Sequence, residues 1–345
     1  HTRSDRDWSS DVCSSDLGHI TITIDGGSIG AVDNAGKLVN SNYTIGDVFG
    51  GSKGSSTDKR FGFAKSTSVT ISEPNAAIPT RINRSVFGGG EAGNVEGDVT
   101  VTLNGGIVGE DLYGGGALAD TNIGNWNATL NEGAGGFAEG IVGEDGKTKY
   151  KTEVNLLGGT IKGDAFGGGL GQKTGFNGGT SDIEATTYGD ITVTLGKEDK
   201  SSATAFNITY ENTGEKDENN KSIQVVKSGR LFGTNNLNGS PKGNVTVNVY
   251  KTVAGNVTRT DITRNDKKEI TSKAEPSTYE VAAVYGGGNL ADYTTAGKKA
   301  SVIIHTCEVS VQDVYGGGNA ASVPETDVLV KGAYEIEHVF GGGNG

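Results

Sequence analysis

The sequence predicts an all-β protein: a parallel, right-handed β-helix (β-solenoid) with loop and hairpin insertions. Three observations predict it: an aromatic–glycine motif that recurs eight times, strands in which apolar and polar residues alternate, and Gly-Gly turns between the two. One such unit cannot bury its own apolar face, whereas stacked units can, each touching only its neighbours. Crossovers between parallel strands favour the right-handed form.

The recurrent motif, which we call the glycine mark, is clearest as DVYGGGN at Asp313–Asn319. The shortest intervals between marks, Phe87 to Tyr113 and Tyr315 to Phe340, indicate the length of one unit. Longer intervals then contain a unit with an insertion. The aromatic residues of the eight marks are Phe49, Phe87, Tyr113, Phe166, Phe232, Tyr285, Tyr315 and Phe340.

The strands that precede the marks alternate β-branched apolar residues with Thr or Asn, which is typical of a strand with one buried face. Clear examples are DVTVTL at Asp98–Leu103, DITVTL at Asp190–Leu195 and NVTVNV at Asn244–Val249. Nothing in the chain has the 3.6-residue period of an amphipathic helix. The alternation therefore supports a fold built only from strands.

The consecutive glycines of the marks are expected to supply positive φ and close backbone approach where the chain turns sharply. If the units stack, one glycine of each mark should lie in a single column. The residue before each aromatic is aliphatic, so a bend or bulge is expected there; which of the two side chains faces the core is left open. The column glycines are Gly89, Gly115, Gly168, Gly287, Gly317 and Gly342.

Two sets of polar residues recur at fixed places beside the marks. Asparagines four residues after the aromatic either stack in a hydrogen-bonded ladder or simply tolerate a left-handed turn. Aspartates two residues before it either cap turns through side-chain to backbone bonds or stack and hold a weakly bound Ca²⁺. The asparagines are Asn236, Asn289, Asn319 and Asn344, and the aspartates are Asp47, Asp111, Asp164 and Asp313.

The first residues are expected to be foreign to the protein. DWSSDVCSSDL at Asp7–Leu17 resembles a translated sequencing-adapter primer, so residues 1–17 are set apart as a non-native segment. Residues 18–345 are then a single β-solenoid repeat domain. Because the chain contains no Met and ends on a mark, we expect a fragment truncated at both ends. Its formal charge of −12 argues against nucleic acid and anionic membranes as partners.

Insertions are expected at two points of the unit, and therefore along two lines of a solenoid. Loops on a rigid scaffold commonly carry binding, and we expect these to contribute little to the core. FNITY at Phe206–Tyr210 and SIQVV at Ser222–Val226 are expected to pair as a hairpin. One set of insertions follows the mark (Ser52–Thr67, Ala117–Lys151, Leu170–Tyr188), and the other precedes it (Ala31–Thr44, Ser72–Arg84, Lys197–Gly229, Lys251–Glu280).

Residues of distinctive chemistry are few. Trp126, in an insertion, either stacks on a sugar or anchors its own loop. His305 and His338 have no metal partner at ligand spacing, and Cys307 is expected to be a small buried hydrophobe in a strand. No catalytic, cofactor-binding or metal-binding set is predicted.

The V-[YF]-G-G-G-N and G-x-V-T-V-T-[LV] units resemble, over Gly18–Gly345, the glycine-rich β-helical repeat proteins of bacterial surfaces, which are adhesin-like and autotransporter-passenger-like. The resemblance implies an extracellular or cell-surface structural and adhesive module, whose insertion loops contact surface glycans or proteins. The alternative is a carbohydrate-active β-helix enzyme, similar to polysaccharide lyases or glycoside hydrolases. That alternative requires paired carboxylates about 5–10 Å apart in one groove. No such pair stands out from the turn acids, so an enzyme is not expected.

Overall fold

The structure, a computed structural model, describes residues 18–30, 46–55, 62–124, 150–176, 178–216, 218, 220, 222–252, 263–267, 270–272 and 279–345. Within these residues the chain forms strands and turns and no helix, so the all-β prediction is confirmed there. The adapter-like residues 1–17 and Trp126 lie outside the described residues.

The first part of the chain forms β1 (His19–Ile24), β2 (Gly27–Ile29), β3 (Val48–Phe49), β4 (Ser66–Ile71), β5 (Thr80–Ile82), β6 (Val86–Phe87), β7 (Val99–Val108), β8 (Leu112–Tyr113), β9 (Lys151–Ile161), β10 (Ala165–Phe166), β11 (Asp190–Leu195) and β12 (Ala205–Phe206). The second part forms β13 (Thr209–Lys216), β14 (Ser222–Ser228), β15 (Arg230–Phe232), β16 (Val245–Val249), β17 (Thr263–Arg264), β18 (Ile270–Ser272), β19 (Val281–Tyr285), β20 (Ala300–Ile304), β21 (Ser310–Tyr315), β22 (Thr326–Val330) and β23 (Glu335–Phe340).

Two parallel sheets organise these strands. The large sheet runs β1-β4-β7-β9-β11-β16-β20-β22, with β2, β5 and β12 joined to its side, and the small sheet runs β3-β6-β8-β10-β15-β19-β21-β23. Within the described residues the chain passes from the large to the small sheet eight times, and each passage moves one strand along both sheets. We call these passages units 1 to 8, in chain order.

The parallel registers place equivalent inward residues on top of one another. Val69, Val101, Val154, Val193 and Val247 are successive partners in the large sheet and are fully buried. The inward residues of both sheets form one continuous apolar cluster. Each buried Val contributes about 1.5–3 kcal/mol relative to exposure, and the column repeats at each unit. This is why a chain with low hydrophobic content can still build a core.

The short strands of the small sheet carry apolar side chains on both faces. Val86 and Leu112 face the main core, whereas Phe87 and Tyr113 on the other face belong to a second cluster. No register shift interrupts the pairing of β3, β6, β8, β10, β15 and β19, so of the expected bend or bulge there is no bulge in these strands, and the chain bends at the glycines that follow the aromatic. Ordinary strand alternation suffices, because both faces of these strands are covered.

The eight aromatic rings of the marks form one stacked column. Successive ring centroids are 4.7–5.0 Å apart and the ring planes differ by 3–11°. This separation matches the distance between neighbouring strands, so the sheet register alone brings the rings into contact. We call this the aromatic column.

The glycines of the marks are required by close packing rather than by positive φ. None of the mark glycines has a left-handed φ, so that part of the sequence prediction is wrong. A Cβ on Gly88 would lie 2.3 Å from the Gly114 carbonyl oxygen, and one on Gly115 would lie 2.6 Å from the Gly169 nitrogen. Backbone bonds from Gly89 N to Gly115 O (3.1 Å) and from Gly115 N to Gly168 O (3.0 Å) join successive marks.

Insertions leave the units from two ordered strips. After the marks, Leu118 N bonds to Glu91 O at 2.7 Å and Gly171 N bonds to Ala117 O at 2.9 Å, so this segment stacks from unit to unit. Ala117, Ala119 and Ile123 are buried, which corrects the expectation that these segments add little to the core. Before the marks, the chain leaves from a strip that includes β2, β5 and β12. The predicted hairpin is present as antiparallel β13 and β14, but its first strand begins at Thr209, and Phe206 pairs with Ile161 of β9 instead.

Candidate functional site

The residue four positions after each column aromatic divides the molecule into two halves. In units 5 to 8 this residue is Asn, and the side-chain amides form a chain of hydrogen bonds. Nδ2 of Asn289 donates to Oδ1 of Asn236, Asn319 donates to Asn289, and Asn344 donates to Asn319, each at 2.9 Å. Hydroxyls of Tyr285 and Tyr315 donate to the same ladder at 3.4 and 3.3 Å. The polar side chains therefore cover the column in this half.

In units 3 and 4 the equivalent residues are Ala117 and Leu170, whose side chains have no hydrogen-bonding group to offer a neighbour along the column. A cavity of about 340 Å³ lies here, beside the aromatic column. We call it the groove. Its apolar lining is Phe49, Phe87, Tyr113, Ala117, Leu118, Leu170, Phe176 and Leu237, and its polar lining includes Asp47, Arg84, Ser85, Glu110, Asp111, Gln172 and Asn236.

The insertion that follows the mark of unit 4 forms one wall of the groove. Its chain turns back on itself through paired backbone bonds between Gln172 and Ile183, at 2.7 and 2.9 Å. This turn presents Phe176, which is 44% exposed, beside the column. The Lys173 ammonium lies 5.8 Å from the centroid of the Phe176 ring. The wall therefore depends on an insertion, whereas the floor belongs to the repeat.

Three charged side chains from units 1 to 3 meet at one end of the groove. Nε of Arg84 lies 3.3 Å from Oε2 of Glu110 and 3.8 Å from Oδ1 of Asp47. Oδ1 of Asp47 also accepts the backbone N–H of Ser85 at 2.8 Å. The Asp47 side chain is only 3% exposed, while that of Glu110 is 44% exposed. Arg84 thus neutralises part of a carboxylate-rich rim.

Asp111 and Tyr113 connect this rim to the start of the asparagine ladder. The Tyr113 hydroxyl donates to Oδ2 of Asp111 at 2.8 Å and accepts Nδ2–H of Asn236, also at 2.8 Å. The other Asp111 oxygen accepts the backbone N–H of Asp164 at 2.8 Å. Because the Tyr113 side chain is buried, this bonded chain fixes the boundary between groove and ladder.

Burial shifts the acidity of the groove carboxyls. Desolvation raises the pKa of Asp47 to about 6, although the Ser85 N–H and the Arg84 guanidinium oppose the shift. Desolvation and the neighbouring Asp164 carboxylate raise the pKa of Asp111 to about 6 as well. Burial also raises the pKa of the Tyr113 hydroxyl. Two carboxyl groups of the groove therefore change charge just below neutral pH.

The four sequence-selected aspartates do not form an uninterrupted column. The residue before each short strand follows the register of that strand. Ser85 therefore lies between Asp47 and Asp111, and Arg230 follows Asp164. Asp164 accepts two bonds from the Arg230 guanidinium, at 2.6 and 3.1 Å, and one from its backbone N–H at 2.8 Å. Asp313 lies 2.9 Å from Nδ1 of His338. Among the described residues, no three acidic, His or Cys side chains are grouped to hold a metal ion.

The remaining sequence-selected residues lie away from the groove. Nε2 of His305 bonds to Oδ1 of Asn248 at 2.9 Å, and its ring stacks on Tyr250 at 4.1 Å. Cys307 is exposed in a turn after β20, so its expected burial in a strand is wrong. The strand ends at Ile304, and the alternation that suggested burial does not continue beyond it.

Sequence reasoning did not identify Arg84, Glu110 or Phe176. A signal was present for the first two: each lies three residues before a column aromatic, where units 1, 4 and 5 have Gly46, Gly163 and Gly229. Alignment of the marks would have placed an Arg and a Glu at the same position of adjacent units. No periodic signal marks Phe176, because it belongs to an insertion.

No protein-family model matches the chain, and no curated protein or solved structure shows significant similarity to it. None of the described residues forms a helix long and apolar enough to cross a membrane.

Proposed function

We propose that residues 18–345 form a right-handed parallel β-solenoid that serves as a structural and adhesive module of a secreted or cell-surface bacterial protein. In this proposal the stacked units hold the molecule straight and rigid, and the groove binds a surface glycan or protein. The observation that carries the proposal is the groove itself: a concave site where an insertion meets the repeat, with an apolar floor and convergent polar groups. Ligand sites in proteins share this combination.

Rigid presentation is supported by the unit-to-unit bonding. The column of backbone bonds, the stacked rings and the valine column all run through the same successive units. Such an array resists bending because each unit is fixed to the next on several sides at once. A site built into this array needs little ordering when it binds a ligand, which favours affinity.

The test is binding of the purified chain to a glycan array and to bacterial and animal cell surfaces. A matched variant replaces residues 173–181 by Gly-Ser, which removes the insertion wall and leaves the column. We expect specific binding by the intact chain, and at least about tenfold weaker binding by the variant at an unchanged melting temperature. Equal binding by both proteins would place the adhesive surface elsewhere. Absence of binding by the intact chain would overturn the adhesive role.

A carbohydrate-active enzyme is the second candidate, favoured by one observation: Asp47 and Asp111 line the same groove and have pKa values of about 6. They lie two strand spacings apart, roughly 9.6 Å along the sheet, near the upper end of the separation used by inverting glycosidases. Reducing-sugar release from a polysaccharide panel tests this candidate. Activity lost in both Asp47→Asn and Asp111→Asn would support it, and activity retained in both would exclude the groove as its site.

A further inference from the structure

We propose that the groove binds a primary ammonium group carried on an apolar chain of about four to six carbons. The inference rests on the groove as the binding site of the proposed function and names the chemistry of its ligand. The shape and charge of the lining carry it.

The charge of the groove favours a cation. Its charged lining residues are Asp47, Glu110 and Asp111 against Arg84 alone, an excess of two carboxyl groups. The Lys173 ammonium lies over the Phe176 ring, 5.8 Å from its centroid, and Lys173 does not line the cavity. Oδ1 of Asp47 accepts the Ser85 N–H at 2.8 Å and lies 3.8 Å from Nε of Arg84, and the Asp47 side chain is only 3% exposed. An ammonium group entering the groove would supply a further donor and a compensating positive charge to its carboxylates.

The rest of the lining favours an apolar ligand body. Leu118, Leu170 and Leu237 face the cavity together with the edges of the column rings. The faces of the inner rings are covered by their neighbours in the stack, so they are closed to a flat sugar. A flexible alkyl chain can instead lie along the leucines while its charged end reaches the rim. A lysine side chain has this chemistry, whereas an amino sugar has the charge without the apolar chain.

Binding of a cation should depend on pH, because it requires ionised carboxyls. The groups that act on Asp47 are Arg84, Glu110 and Glu91, and those that act on Asp111 are Asp164, Glu110 and Tyr113, with Arg230 paired to Asp164. Affinity for an ammonium ligand should rise between pH 5 and 7.5 and be accompanied by proton release.

The experiment is calorimetric titration of the full chain with 1-hexylamine, 1-hexanol and hexanoate. We expect hexylamine to bind at least about tenfold more tightly than either control at pH 7.5, because one charge-assisted bond is worth that much. Asp47→Asn should lose this preference, whereas Glu215→Gln, an exposed carboxylate on the β13–β14 hairpin, should keep it. Equal binding of hexanol or hexanoate, undetectable binding of hexylamine, or equal loss in both variants would overturn the proposal.

Two further ligands distinguish the sources of the ammonium group. Nα-acetyl-lysine N-methylamide should compete with hexylamine, and methyl glucosaminide should not. The reverse result would overturn the proposal that the ligand carries its ammonium group on an apolar chain. The outcome is separable from the adhesive role. Surface binding without hexylamine binding would overturn the ammonium assignment alone, and hexylamine binding without any surface binding would overturn the adhesive role alone.

Discussion

Units 1 to 4 and units 5 to 8 share the same two sheets and the same stacked rings, yet they cover those rings differently. In the later half, four asparagines bond to one another and close the side of the column. In units 3 and 4, Ala117 and Leu170 occupy the corresponding places, and a cavity of about 340 Å³ remains beside them; units 1 and 2 have Lys53 and Glu91 there. The backbone bonds and the stacked rings continue across the boundary, although unit 5 has Thr234 and Asn235 in place of two of the mark glycines.

The comparison teaches how stacked units can form a cavity while their strands and backbone bonds stay in register. An amide at this position donates to one neighbour and accepts from the other, so its hydrogen-bonding groups are occupied within the ladder. Small or aliphatic residues at this position leave apolar surface and space beside the rings, and an insertion can then form one side of the resulting cavity. Tyr113 lies where the two arrangements meet and bonds to both Asp111 and Asn236.

The largest effect is expected in the glycine column, which both halves share. A Cβ at Gly115 would meet the backbone of Gly168 and Gly169 at 2.6–3.0 Å, so Gly115→Ala requires a main-chain shift and should cost about 3 kcal/mol or more. Gly342→Ala is the matched control, since nothing lies within 4 Å of its Cβ position; it should cost within about 0.5 kcal/mol. Urea denaturation measures both. Similar costs for the two variants would contradict close packing as the reason for glycine.

The next effect concerns the boundary between the halves. Tyr113→Phe removes the hydroxyl that donates to Asp111 and accepts from Asn236, and should cost about 1.5–3 kcal/mol because a carboxylate acceptor is involved. Tyr315→Phe removes a single 3.3 Å bond to Asn344, so it should cost less than about 1 kcal/mol. Thermal melts with both variants test this order. Equal losses of stability would show that the two bonds of the Tyr113 hydroxyl stabilise the protein no more than the single bond of Tyr315.

Much of the fold could be predicted from the sequence because its signals are periodic. The alternation in Asp190–Leu195 and the repeated marks were enough to predict parallel strands stacked in register. The reason for the glycines was harder to predict, because close approach and positive φ favour the same residue. Cys307 was misplaced because an alternating pattern does not reveal where a strand ends.

The groove was less predictable than the fold. Its carboxylates were noticed as turn residues, and Asp47 and Asp111 do accept backbone N–H groups of the next unit. That they also line the groove depends on Arg84 and Glu110 lying close together in adjacent units, and on an insertion folding back beside the column. Contacts between different units cannot be predicted from a single sequence. The same is true of contacts with an aperiodic segment such as the one that holds Phe176.

A smaller effect is expected within the ladder. Asn319→Ala leaves Oδ1 of Asn289 and Nδ2 of Asn344 without their amide partner, and should cost about 1–2 kcal/mol. Asn212→Ala on the exposed hairpin removes one side-chain bond to Gln224 and should cost less than about 0.5 kcal/mol. The free energies of unfolding of the two variants, measured by urea denaturation, test whether the ladder bonds stabilise the protein. If Asn319→Ala is as mild as its control, the asparagines are turn residues whose bonds to one another contribute no stability.

The smallest effect separates the halves by pH. Burial holds the pKa of Asp47 at about 6, above its ordinary value of 3.8, so the folded chain retains a proton that the unfolded chain has lost between those values. The stability contributed by the protonated form is therefore complete below about pH 4 and is lost as pH rises through 6. Asp47→Asn removes this titration, so its stability relative to the wild type should improve from pH 4.5 to pH 7.5. The gain should be on the order of 1 kcal/mol, since solvent reaches the groove and reduces the full value. Asn319→Ala, which removes no titratable group, should keep the same difference from the wild type at both pH values. A pH-independent Asp47→Asn difference would mean that this carboxyl titrates as it does in the unfolded chain, and the two halves would then differ in shape alone.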